Sequence, residues 1–213
     1  SITNQSGSIT LSHGSAIVTA IQSKQEIVIF TDSALYSLQY LGPPYVWAPQ
    51  LLGDNISIMS PNAAVIASGI VYWMGVDKFY SYDGRVNTLN CDLRRFVFGD
   101  LNQEQGLQVF AGTSEGFNEV WWFYCTAASN TVDRYVVYNY MENIWYYGSM
   151  ARTAWLDSGL QDYPVAATYN SNLVQHELGV DDVTTGTAVA ITAFITSSQF
   201  DIGDGHNFAF VWR

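Results

Sequence analysis

The sequence predicts an all-β fold of the β-propeller type, with about four visible blades and one short helix. Three observations predict it. The chain is dense in aromatic residues, with 14 Tyr, 11 Phe and 7 Trp among 213 residues, and pleated strands accommodate such side chains well. Short apolar runs alternate with turn residues, so that much of the chain reads as hairpins. The hairpins recur every 40–50 residues or so, the length of one propeller blade.

The first hairpin, near 27–40 (IVIFTDSALYSLQY), has a strand on each side of Asp32–Ser33. The second, near 70–82, joins Ile70–Met74 to Phe79–Tyr82 through Gly75, Val76, Asp77 and Lys78. The third, near 119–140 (EVWWFYCTAASNTVDRYVVYNY), has a longer turn around Ser129–Asn130, and the fourth, near 164–179 (PVAATYNSNLVQHELG), turns at Asn170–Ser171. Asp32, Asp77, Ser129 and Asn170 are spaced by 45, 52 and 41 residues. A further strand follows each of the first three hairpins, in YVWAP, RVNTLN and NIWYYG. A hairpin-rich sandwich is the alternative fold, but it carries turn signals every 8–12 residues or so without a higher period. If the hairpins are blades, Val71, Trp73, Val120 and Trp122 occupy comparable strands and fill the space between blades.

One helix is expected, over 91–105 (CDLRRFVFGDLNQEQ), where Leu93, Phe96, Val97 and Leu101 approach helical spacing. Residues 1–180 thus form the propeller-like part. Residues 181–213 read as a further β segment leaving the last blade, an acidic, Thr/Gly-rich link followed by two long strands. No apolar run approaches the ~20 residues of a membrane-spanning helix, and no signal peptide is read before the first strand. The closing FVWR reads as a strand cut in mid-course, so the chain is expected to be one segment of a longer protein.

Charge narrows the function. Eight Lys and Arg against 19 Asp and Glu give −11, whereas a protein that grips DNA needs clustered cations. Arg94–Arg95 is the one adjacent basic pair. Charged residues make up 13% of the chain, below the quarter or so usual for globular domains; either neutral polar residues solvate the surface or partner subunits cover part of it. Arg152, in SMARTAW, is expected to pair with a carboxylate or with backbone carbonyls between blades.

No enzyme is expected, and no catalytic, cofactor-binding or metal-binding residue is assigned. His13, His176 and His206 are the near-neutral acid–base groups, but His13 sits among small polar residues, His206 in a turn, and no GxSxG accompanies them. Asp32, Asp77, Asp83, Asp100, Asp157 and Asp162 lie mostly in turns, where turn chemistry explains them. His176–Asp182 (HELGVDD) and Asp201–Gly205 (DIGDG) are acid-rich but lack the alternation of a calcium loop. Cys91 and Cys125 read as two reduced thiols in or near the core.

Several stretches, in order, resemble one known family. They are Ile27–Tyr40, Val71–Asn102 (VYWMGVDKFYSYDGRVNTLNCDLRRFVFGDLN), Phe117–Trp155 and Asn170–Asp182. Their succession is similar to that in the packaged-DNA stabilisation proteins of short-tailed bacteriophages, also called nozzle or tail tubular B proteins. The likeness runs from about Ile27 to Val211 and is most specific at YWMG…FY.YDG, at VFGDLN after CDLRR, and at DRYVVYNY…W…G…RTAW. It implies a propeller body, a homohexameric ring below the portal, a virion location, and a role in closing the DNA exit channel and passing DNA during infection. It implies no catalytic motif, and family members about twice this length or more. The reading from another class is a carbohydrate-binding or carbohydrate-cleaving propeller, with Trp121/Trp122 and Tyr146/Tyr147 as sugar-stacking candidates, one of each pair belonging to the core.

Overall fold

A computed structural model describes residues 7–43, 46–159, 161–183, 186–192, 194 and 196. The chain is mostly β, and it divides into two compact units, Ser1–Leu178 and Gly179–Arg213. In the first unit, three antiparallel sheets of four strands follow one another, each built from strands consecutive in the chain. Sheet one holds β1 (Ile17–Gln22), β2 (Glu26–Thr31), β3 (Ala34–Tyr40) and β4 (Trp47–Asp54). Sheet two holds β5 (Ala64–Ala67), β6 (Ile70–Met74), β7 (Phe79–Tyr82) and β8 (Val86–Leu89). Sheet three holds β9 (Phe110–Ser114), β10 (Glu119–Tyr124), β11 (Arg134–Asn139) and β12 (Ile144–Ser149). A fourth sheet has three strands, β13 (Ala154–Leu156), β14 (Val165–Ala167) and β15 (Leu173–Gln175).

The sequence dictates which strands lie inside. Interior strands are covered on both faces and read as unbroken apolar runs, whereas edge strands alternate. Thus IVYWM of β6 and VWWFY of β10 are buried almost throughout, and FYSY of β7 entirely, while β4, β8 and β12 are half-exposed along their length. The β5–β6 turn is two residues long, and Ser68 and Gly69 both have positive φ, 49° and 79°. That left-handed pair matches the twist of the flanking strands, and it is why the turn holds a glycine.

Trp73 and Trp122 occupy equivalent places on β6 and β10, and both are fully buried, as are Val71 and Val120. Trp73 meets Phe30 of sheet one edge-on at 5.2 Å. Trp122 packs on Phe79 of sheet two at 4.9 Å, and its Nε1 donates to the Ala63 carbonyl at 3.0 Å. Each tryptophan therefore fills the space between its own sheet and the preceding one.

The helix is shorter than the expected 91–105. It runs over α1 (Arg94–Asp100), and after two extended residues a 3-10 turn covers Gln103–Gln108. Tertiary pairing interrupts it: Leu101 bridges Thr126, and Asn102 N donates to the Cys125 carbonyl at 2.9 Å. The Asn102 side chain then caps the 3-10 turn by accepting from Glu104 N.

The second unit has β16 (Asp181–Asp182) paired with β17 (Val189–Ala190). The acidic link of the sequence reading is therefore itself partly strand. Of the two long strands expected there, residues beyond 196, including His206 and Asp201–Gly205, lie outside the described residues.

Candidate functional site

The first strands of the four sheets converge on one cavity of about 500 Å³. Thr19, Ala20 and Ile21 of β1, Pro61, Asn62 and Ala64 at the start of β5, Phe110 and Ala111 of β9, and Thr153, Ala154 and Trp155 at β13 line it. Asn62 and Phe110 form a parallel bridge, and Ala111 N donates to the Asn62 carbonyl at 2.8 Å. The lining is neutral and mixed in polarity, with Ile21, Phe110 and Trp155 beside smaller residues. Among the described residues that line it there is no carboxylate, imidazole, thiol or cation, so these side chains supply neither an acid–base pair nor a set of metal ligands.

The carboxylates have other work at the junctions between sheets. Glu26 of β2 accepts from Ser37 and Gln39 of its own sheet and, at 2.6 Å, from the Tyr82 hydroxyl of sheet two. Burial pushes the Glu26 carboxyl up, but those three hydrogen bonds outweigh it and hold the group below its ordinary range. Burial and the bond to Glu26 together push the Tyr82 phenol well up. Glu115 accepts from Ser68 N of sheet two, and Asp157 accepts from Thr113 Oγ1 and Glu115 N of sheet three. Charge-assisted bonds of this kind fix one sheet against the next. Glu119, on β10, accepts from Trp121 Nε1 and from the Tyr146 hydroxyl, and burial raises its pKa.

Trp155 and His176 form the other cluster of interest. Trp155 stacks on Trp121 of sheet three at 5.2 Å, and its Nε1 donates to the Thr113 carbonyl at 2.8 Å. The His176 ring lies 4.7 Å from Trp155, and its Nε2 accepts from Arg152 Nε at 3.1 Å. Arg152 also donates to the Ala151 carbonyl at 2.8 Å. That carbonyl belongs to Arg152's neighbour in the chain, so this bond is not the expected pairing between blades. His176 is not on a strand: β15 ends at Gln175, and Glu177 turns left-handed with φ 60°.

Burial, with the Arg152 guanidinium adding to it, lowers the His176 pKa to about 4. An unfolded histidine titrates near 6.5, so this contribution to stability is complete above pH 6.5 and is lost as pH falls toward 4. Glu119 has the opposite sign, because a raised carboxyl pKa favours folding as it protonates. His176→Gln should therefore flatten the acid side of the stability curve by about 1–2 kcal/mol, given partial solvent access. Denaturant melts at pH 7 and pH 4.5 measure this, and wild-type and variant curves running parallel would remove His176 as the titrating group.

The remaining candidates are scattered. His13 is exposed, with its Nδ1 2.9 Å from Ser12 Oγ and its backbone N donating to the Tyr36 hydroxyl. Cys91 and Cys125 are buried and unpaired; burial pushes the Cys91 thiol up to about 12 and raises that of Cys125. Among the described residues, no three His, Cys, Asp or Glu side chains converge as a metal site, and no helix is long and apolar enough to cross a membrane. Trp121 and Trp122 are both buried, not one of them, because sheet three is covered by sheet two on one face and sheet four on the other. Tyr146 is half-buried, and Tyr147 is exposed beside Phe96 of α1 at 4.4 Å.

The sequence reading missed the cavity because it missed β1, β5, β9 and β13. Three of them are short, β5, β9 and β13, and AVIA and FAGTS are built largely from small residues, whereas β1 has six residues. Ser68–Gly69 was the available signal, since AVIA and IVYWM flank it as a hairpin. No model of a known protein family matches the chain, and no curated protein matches it significantly.

Proposed function

We propose that the four sheets are consecutive blades of a propeller-type body, and that the protein is a non-enzymatic structural component of a bacteriophage tail hub or nozzle. In this reading a six-fold ring of copies in the virion closes the DNA exit channel, retains packaged DNA and passes it during infection. The observation that carries the propeller is the convergence of four first strands on one cavity, with sheets that each run through consecutive strands. The ordered likeness to the nozzle proteins carries the location. The absence of charge from the cavity lining supports a structural role over a reaction within the chain.

A channel for duplex DNA should not grip phosphates, because each neutralised phosphate adds salt-dependent affinity and drag. A charge of −11 per copy, repeated around a ring, keeps DNA centred in the lumen. That lumen belongs to the ring and is distinct from the uncharged cavity within one chain. The isolated chain is therefore expected to give no measurable duplex binding at near-physiological salt. Fluorescence anisotropy with a labelled duplex reads this directly, and tight binding would sink the proposal.

One observation favours the carbohydrate reading. Tyr40 and Trp47 are both exposed and meet edge-on at 5.4 Å, an aromatic pair open to a sugar ring. Binding on a glycan array that is lost in Trp47→Ala would favour that reading over the hub.

A further inference from the structure

We propose that a groove on sheet two receives the β11–β12 hairpin tip of a second copy of this chain, a contact that deepens, and rests on, the ring reading above. The groove encloses about 430 Å³ between the β6–β7 turn, the end of β8 and the start of α1. Lys78, Arg94 and Arg95 line it, three of the chain's eight cations. Arg94 is held by Asp77, through the carbonyl at 2.7 Å and the carboxylate at 3.2 Å. Asp92 lines the groove as well, but among the described residues neither Lys78 nor Arg95 forms an ion pair. Leu89 and the buried Cys91 add apolar surface between the charges. The site calls for a ligand with one carboxylate and one apolar arm.

The tip formed by Met141 and Glu142 has that chemistry. Met141 is 68% exposed, and Glu142 beside it is exposed too, with no ion pair among the described residues. The tip is held in shape by its own turn: Asn139 Oδ1 accepts from both Met141 N and Glu142 N, and Asn143 sits at φ 57° with its side chain bound by the Tyr138 hydroxyl. A pre-shaped tip loses little entropy on docking.

Groove and tip lie at opposite ends of the sheets. The β6–β7 turn stands at the end where second strands finish, and the β11–β12 turn at the end where they begin. Turns at this second end also meet one another, as where Glu115 accepts from Ser68 N. A chain therefore cannot fill its own groove, and the contact runs head to tail from copy to copy. Such heterologous contacts close into rings when the rotation permits and extend as filaments when it does not.

Sedimentation velocity of the full chain tests this with two variants, at the half-buried Lys78 and at exposed Arg95, Met141 and Glu142. Lys78→Glu with Arg95→Glu reverses the groove, and Met141→Lys with Glu142→Lys reverses the tip. The wild type is expected to self-associate and to weaken as salt rises. Each variant alone should associate at least tenfold more weakly, and the two mixed should recover, since each then offers what the other lacks. Circular dichroism checks that both variants fold, and either one alone suffices for the loss. Assembly insensitive to both reversals would overturn the contact and leave the ring reading standing. A wild type that stays monomeric would overturn both. Duplex DNA binding that disappears on reversing the groove would overturn it in favour of a phosphate site.

Discussion

Trp73→Ala is expected to lower the unfolding free energy by about 3–5 kcal/mol, the range for truncating a fully buried large aromatic. The indole lies edge-on to Phe30 and stacks on Tyr80 at 5.1 Å, while its Nε1 donates to the Ser57 carbonyl at 3.2 Å. Truncation removes the packing across the junction of sheets one and two, and it leaves the Ser57 acceptor without that donor. Denaturant melts with an unchanged slope would give the loss directly. A loss under about 1 kcal/mol would mean that the residue is not in the core and that the register of β6 is wrong.

The second large effect is at the fourth sheet. Trp155→Ala should cost about 3 kcal/mol, at the low end of the aromatic range because the side chain is partly exposed. Its consequence should also be local. Trp155 joins β13 to sheet three by stacking on Trp121 and by donating to Thr113, and it carries the His176 ring. Gly112 on β9 admits the indole: a Cβ there would stand 2.5 Å from Trp155 Cδ1. Gly112→Val approaches the same contact from the other side and should cost about 1–3 kcal/mol by overpacking. In both variants, amide exchange over β13–β15 should rise while β6 and β10 stay protected. Uniform exchange across all four sheets would show that sheet four is not held through Trp155.

The interior of the fold was legible because it is written in unbroken apolar runs. IVYWM, FYSY and VWWFY are covered on both sides, IVIF on one, and each ends at a turn that punctuates it. The rim strands could be read after them, where Trp47 and Trp145 recur. Of the first strands, β5, β9 and β13 could not, since they are short and hold few large apolar residues in a row. The helix was overread for a related reason. Leu101 keeps the helical spacing, but its pairing with Thr126 draws it out of the helix. Conversely, Asp157 reads as turn chemistry in the sequence, yet it accepts across the junction of sheets three and four. Nothing in the sequence alone announces that Glu26 meets Tyr82 across 56 positions.

The proposed place in a phage tail is tested most directly by a three-dimensional reconstruction of intact phage particles, at a resolution that traces strands. Six copies are expected in a ring on the tail axis below the portal, each with its sheets around the cavity described above and with acidic side chains facing the lumen. Copies found away from the axis, or a basic lumen with the carboxylates on the outer rim, would contradict it.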